Sequence, residues 1–157
     1  MDPEHFRMYV VRPTLEYLEP EIPYSKSAEN LLVGTAAHES RLKYLHQIQG
    51  PAKGVFQIEP ATADDIWDNY LAFRPDLASK VRGLASQKFP VGKNEQLITN
   101  LAYATAMARL KYWRSPSSLP HDPDDVFGLA QLWKAVYNTE LGAGTVDQFI
   151  AHYPEES

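Results

Sequence analysis

Glu39 closes an apolar stretch, Gly34-Thr35-Ala36-Ala37-His38-Glu39-Ser40. Gln57 follows inside Gly50-Pro51-Ala52-Lys53-Gly54-Val55-Phe56-Gln57-Ile58-Glu59-Pro60-Ala61-Thr62-Ala63. A carboxylate at the end of a helix bound for the interior is a costly placement, because charged side chains are seldom buried without a partner. Burial disfavours the ionised form and raises the pKa, which makes Glu39 a candidate general acid. Other chemistries find less support. Ser40 follows Glu39, but no Gly-x-Ser-x-Gly elbow occurs to frame a serine nucleophile. Gly50 and Gly54 lack the Gly-Lys-Ser/Thr that completes a phosphate-binding loop. His38-Glu39 begins like a His-Glu-x-x-His zinc site, yet the position one helical turn on is Leu42. His46 is two turns away and no third ligand is evident, so neither a metal nor a cofactor is expected. His5, His121 and His152 read as surface residues.

Prolines and glycines mark the elements that must hold these groups. Phe6 to Leu18 has apolar residues at helical spacing, with Pro13 bending or restarting the helix. Glu19-Pro20-Glu21-Ile22-Pro23 is a break. Ser25 or Ser27 caps the next helix, which carries Leu31, Leu32, Ala36 and Ala37 and delivers Glu39 near its end. Residues 45–59 read as a loop or a short irregular hairpin. Pro60 opens a helix to about Phe73, and Pro75 opens another with Leu77, Val81 and Leu84. Asn94 to about Arg114 is predicted as the longest helix, on Leu97, Leu101, Ala104, Ala108 and Tyr112. Asp122 is the expected cap of a helix from Pro123 to Tyr137, ended by Gly142 and Gly144, and Thr145 to His152 finishes the chain. The expected fold is all-α, about seven helices in orthogonal packing with at most a minor β-hairpin. The expected organisation is a single domain over 1–157 in which 1–25 is an N-terminal helical extension.

Composition narrows the function further. The 157 residues are 44% hydrophobic and 22% charged, ordinary values for a globular domain. A net charge of −5 gives no broad electrostatic reason to bind nucleic acid or acidic membranes. Arg109, Lys111 and Arg114 form a local basic cluster that reads as the solvated end of a helix. No cysteine is present, which excludes a disulfide framework, a thiolate metal site and a cysteine nucleophile. No run approaches the ~18 apolar residues of a membrane span. The acidic start, Met1-Asp2-Pro3-Glu4-His5-Phe6, lacks the apolar core of a signal peptide.

The order of four segments resembles the soluble lytic transglycosylase family on the lysozyme-like fold. Glu39-Ser40 matches its Glu-Ser pair. Gly54 to Ala63 is similar to its Gly-Leu-Met-Gln-Ile/Leu-x-Pro-x-Thr-Ala segment. Asn100-Leu101 through Arg109-Leu110 resembles its third motif, an Asn opening an apolar helix. Ala135-Val136-Tyr137-Asn138-Thr139 resembles its Ala-Tyr-Asn-Ala-Gly segment. The likeness spans roughly residues 28–150. Phe56 replaces the family's Met and keeps an apolar wall, Ile48 stands where a Ser is frequent, and Glu59 stands where Met is frequent. Thr139-Glu140-Leu141 is inserted, and the stretch from Asp64 to Lys93 is longer than a minimal member needs.

The resemblance implies cleavage of the β-1,4 bond between N-acetylmuramic acid and N-acetylglucosamine in peptidoglycan. Glu39 would be acid and then base, held neutral by apolar neighbours such as Leu31, Leu32 and Phe56, with no second carboxylate and a 1,6-anhydromuramyl product. Ser40, Phe56, Gln57, Tyr137 and Asn138 would meet the substrate, with Tyr137 bonding near Glu39 and Asn138 holding the turn or the sugar. Two alternatives stay open. Goose-type lysozymes place an Asp directly after Gln-Val, where Glu59 stands. Glu59, or Asp64 or Asp65 further along, could position water for hydrolysis. The other alternative is a non-catalytic structural or adaptor protein on the same fold. Expected partners are glycan strands and, for a phage product, a virion or cell-envelope assembly. An enzyme without a leader would reach the wall from a virion or through a lysis pore.

Overall fold

The computed structural model describes residues 1–85, 92–137 and 144–155. Among them the chain is all-α, with two isolated antiparallel bridges, His46 with Lys53 and Lys53 with Ile58, where a loop or short hairpin is expected. The first elements are α1 (Pro3–Phe6), a π-helical turn (Arg7–Val11) and α2 (Arg12–Tyr17), which form one rod. Pro13 has no N–H and its ring would strike the carbonyl four residues back in a regular helix. The rod widens just before it, and Arg12 N–H bonds to the Arg7 carbonyl. Phe6, Val11, Leu15 and Leu18 from this segment belong to the same buried cluster as the rest of the chain.

Helix α3 (Lys26–Ser40) is the axis of the molecule. Ser25 caps it, its side chain accepting from Ala28 N–H. Leu31, Leu32, Val33 and Ala36 are buried around the whole circumference, so α3 is a core helix with no distinct polar face. Glu29 is buried in its first turns. Arg7 Nη1 meets it at 2.9 Å, Arg12 Nε at 2.7 Å and Lys26 Nζ at 2.7 Å, and the Tyr24 hydroxyl donates to it at 3.0 Å. Desolvation pushes the Glu29 pKa up, but the bonds from Arg12, Lys26 and Arg7 outweigh it and hold the carboxyl at about 2. This cluster fastens the N-terminal rod to α3.

Helices α4 (Pro60–Asn69) and α5 (Pro75–Leu84), joined by a 3-10 turn (Leu71–Phe73), begin at the expected prolines. The helix expected from Asn94 to Arg114 is instead two, α6 (Gln96–Thr99) and α7 (Leu101–Trp113). Asn100 stands between them in extended backbone, where its side chain accepts from Tyr103 N–H and caps α7. The apolar period runs across the break, which hides it from a pattern reading. Helix α8 (Val126–Val136) is capped by Asp125 and not by Asp122, whose carboxylate closes a turn onto Asp124 N–H. Helix α9 (Val146–His152) begins with a capping box of Thr145 and Gln148. Its Phe149, and Tyr153 just beyond its end, lie against Gly34 of α3, where a Cβ would come within 2.8 Å of the Phe149 ring and 2.9 Å of Tyr153. That glycine lets α9 sit directly on α3.

Candidate active site

The last turn of α3 carries His38 and Glu39. Beyond Ser40 the chain leaves the helix through Arg41 and Leu42, both left-handed, with φ of 53° and 54°. The Ser40 hydroxyl donates to the Ala36 carbonyl at 3.1 Å and accepts from Leu42 N–H at 3.2 Å. Ser40 is therefore buried beneath the site, with its hydroxyl engaged by backbone.

Glu39 lies on a cleft of about 810 Å³, lined also by His38, Gln57, Glu59, Lys111 and Tyr137. Its side chain is 20% exposed. Trp133 Nε1 donates to Glu39 Oε2 at 3.2 Å. Burial raises the Glu39 pKa to about 7, against the opposing pull of the Trp133 hydrogen bond and the Lys111 charge. Glu39 is thus protonated for much of its time near neutrality and can change state with little cost.

The other wall is a strained turn. Gly54, at φ 78°, approaches the Leu97 carbonyl so closely that a Cβ would fall 1.9 Å from its oxygen. Only glycine fits there. Gln57 is also left-handed, at φ 49°, and its side-chain amide donates to the Gly54 carbonyl at 2.9 Å while lining the cleft. Phe56 points inward; it is fully buried, with its ring 5.8 Å from that of Phe6. Its backbone carbonyl accepts the Tyr137 hydroxyl, so Phe56 contributes to this wall through its main chain. Tyr137 stacks on Tyr112, whose hydroxyl bonds that of Thr35 at 2.8 Å. Both tyrosines are pushed up from their ordinary pKa, first by burial and also by the Glu39 charge. Asn138 lies outside the described residues.

The carboxylates proposed as water-positioning groups separate clearly. Glu59 is exposed and lines the cleft. Asp65 is engaged by Arg114 Nη1 at 2.6 Å and Asn69 Nδ2 at 2.6 Å. Asp64 accepts from Asn94 Nδ2 at 3.2 Å and faces Lys93 Nζ at 3.6 Å.

Two expectations are corrected here, and one further residue joins the site. The Arg109–Arg114 cluster is not a solvated helix end. Arg109 is 3% exposed, and burial lowers the Lys111 pKa to about 8 although Glu39 and Glu59 favour its charge. Lys111 Nζ lies 3.6 Å from the centre of the Tyr137 ring, which puts a cation on the cleft wall. His152 is not a free surface residue but bonds His38, Nδ1 to Nδ1, at 2.8 Å. Trp133, within the helix expected from Pro123 to Tyr137, donates a hydrogen bond to the Glu39 carboxyl. Nothing in the sequence around it signals that role beyond the indole N–H that a buried Trp must satisfy.

Among the described residues, no group of three or more His, Asp or Glu side chains could hold a metal ion, and no helix is long and apolar enough to cross a membrane. No protein-family model, curated protein or solved structure matches the chain.

Proposed function

We propose that this protein is a peptidoglycan-cleaving glycosidase, with Glu39 protonating the glycosidic oxygen between N-acetylmuramic acid and N-acetylglucosamine. The observation that carries the reading is a largely buried carboxyl in the wall of an open cleft, where burial raises its pKa to about 7. A proton donor to a leaving sugar oxygen must be neutral at working pH and still give up its proton readily. The four sequence segments that resemble the soluble lytic transglycosylases supply the substrate class.

Within that class we favour the transglycosylase course. Glu39 gives its proton to the leaving O4 as the C1–O4 bond breaks, while the muramyl N-acetyl oxygen supports C1. The resulting carboxylate then takes the proton from the C6 hydroxyl as O6 bonds to C1 and the acetamido oxygen leaves it. Glu39 returns to its protonated state and the product ends in 1,6-anhydromuramic acid. Trp133 N–H and Lys111 both favour the carboxylate that exists between the two steps. Gln57 and Tyr137 would border the sugar, and the exposed Tyr44 and Ile48 offer apolar surface at the rim.

The rival is hydrolysis with Glu59 orienting water, favoured by its exposed carboxylate in the same cleft. Purified sacculi digested with the wild-type chain and Glu39→Gln, with products read by mass spectrometry, test both. Anhydro ends are expected, and they should vanish in the variant. Reducing muramic ends would assign hydrolysis, and cleavage retained by Glu39→Gln would overturn the reading altogether.

A further inference from the structure

A string of polar contacts runs from the surface to Glu39. Arg41 Nη2 lies 3.0 Å from His152 Nε2, and His152 Nδ1 lies 2.8 Å from His38 Nδ1. His38 Nε2 then faces Glu39 Oε2 across 4.0 Å, beyond hydrogen-bond length, the same oxygen that accepts from the Trp133 indole N–H. The docking of α9 on Gly34 brings His152 to this place.

The chemistry of the groups fixes the direction of both hydrogen bonds. A guanidinium can only donate. His152 Nε2 must therefore accept, and the single proton of the neutral ring resides on Nδ1. That proton can bond His38 only by entering a lone pair on His38 Nδ1. The neutral His38 ring then holds its own proton on Nε2, the nitrogen turned toward Glu39. In imidazoles the partner of one nitrogen decides the state of the other. Both rings are held neutral near pH 7: burial, then the His152 and Arg41 charges, lowers the His38 pKa to about 4, and burial and Arg41 lower that of His152.

We propose that Arg41 and His152 are positioning residues that lock His38 in the Nε2–H tautomer, so that His38 presents an N–H to Glu39 whenever that carboxyl is ionised. The proposal rests on the reading of Glu39 as acid and base. Among the described residues, the titratable groups that face His38 are Glu39 on its own helix, Arg41 on the following turn and His152 on α9. From α8 and α9, Trp133 and Phe149 enclose the ring, and Lys111 on α7 acts on Glu39. In the opposite tautomer a lone pair would face the carboxylate and disfavour its charge.

Nuclear magnetic resonance on the full chain, with 15N in the histidine rings and 13C in the glutamate carboxyls, tests this without relying on turnover. At pH 7 His38 should be protonated on Nε2 and His152 on Nδ1. In His152→Leu and in Arg41→Met, His38 should show mixed tautomers and the Glu39 titration should rise by about 0.5. His152→Asn, whose amide N–H can replace the Nδ1 donor, should restore both signals. The alkaline limb of sacculus cleavage should follow the Glu39 titration in each variant. A wild-type His38 protonated on Nδ1, or a Glu39 titration unmoved in both disrupting variants, overturns the proposal. Cleavage that survives Glu39→Gln overturns the catalytic reading instead, so the two failures are distinct.

Discussion

The Trp133 indole, on α8, donates its proton to Glu39 at the end of α3, across 3.2 Å. It is the one polar atom of a fully buried side chain, and it is directed at a carboxyl whose charge the surrounding burial opposes. The carboxyl is thereby left near the balance point between its two states, with burial pressing one way and the indole and Lys111 pressing the other.

That balance has a stability signature. The Glu39 pKa is raised from 4.5 to about 7. The folded chain therefore holds a proton that the unfolded chain loses, and this contribution is complete below pH 4.5 and lost as pH rises through 7. The expected difference is up to about 3 kcal/mol. Glu39→Gln, neutral at every pH, should match the wild type in urea titrations at about pH 4 and be more stable at about pH 9. Equal stability at both values would contradict a buried, neutral acid.

Lys111 acts on the same balance from the cleft wall. Removing its charge in Lys111→Met should raise the Glu39 pKa and move the alkaline limb of the activity profile upward by about 0.5 to 1. A profile that moves down, or stays in place, would show that Lys111 does not sense Glu39.

Glu59 distinguishes the two courses of reaction. On the transglycosylase course, Glu59→Gln should lower the rate of anhydro product formation by less than about tenfold, whereas loss of a general base costs on the order of 10²-fold or more. Rates of product release from sacculi decide this directly.

Glu29 presents the opposite case to Glu39. Its pKa is lowered from 4.5 to about 2, so its contribution to stability is present above pH 4.5 and lost as pH falls through 2. Glu29→Gln strips the counter-charge from buried Arg7 and should cost about 3–5 kcal/mol at neutral pH. Thermal melts of the two chains should converge as the solution is acidified; a variant as stable as the wild type at pH 7 would mean that the cluster adds nothing.

Local signals in the sequence are enough to place much of this. Ser25, Pro60, Pro75 and Thr145 mark helix starts that the structure also has, because capping and proline geometry depend on neighbours a few residues away. Asn100 and Asp125 escape a pattern reading, since Leu97 and Leu101 keep the helical period across a real break and Asp122 offers an equally good cap. Glu39, Gln57 and Tyr137 are gathered on one cleft. The partners that set their chemistry are long-range. Trp133 is 94 positions from Glu39 and His152 is 114 from His38, so only the packing of α8 and α9 on α3 reveals them. Ser40 and Phe56 show the converse, in that adjacency in the chain to a cleft residue does not bring a side chain into the cleft.

Helix α3 carries its two glutamates at opposite poles. At 1.5 Å per residue, Glu29 and Glu39 are separated by about 15 Å along one axis. The aligned peptide dipoles of that axis favour negative charge near its start and disfavour it near its end. Glu29 lies at the favoured pole, surrounded by cations, and Glu39 lies at the disfavoured pole, beside the Trp133 indole. One helix thus sorts two identical side chains, and over the mildly acidic range it carries an anion at its head and an acid at its foot.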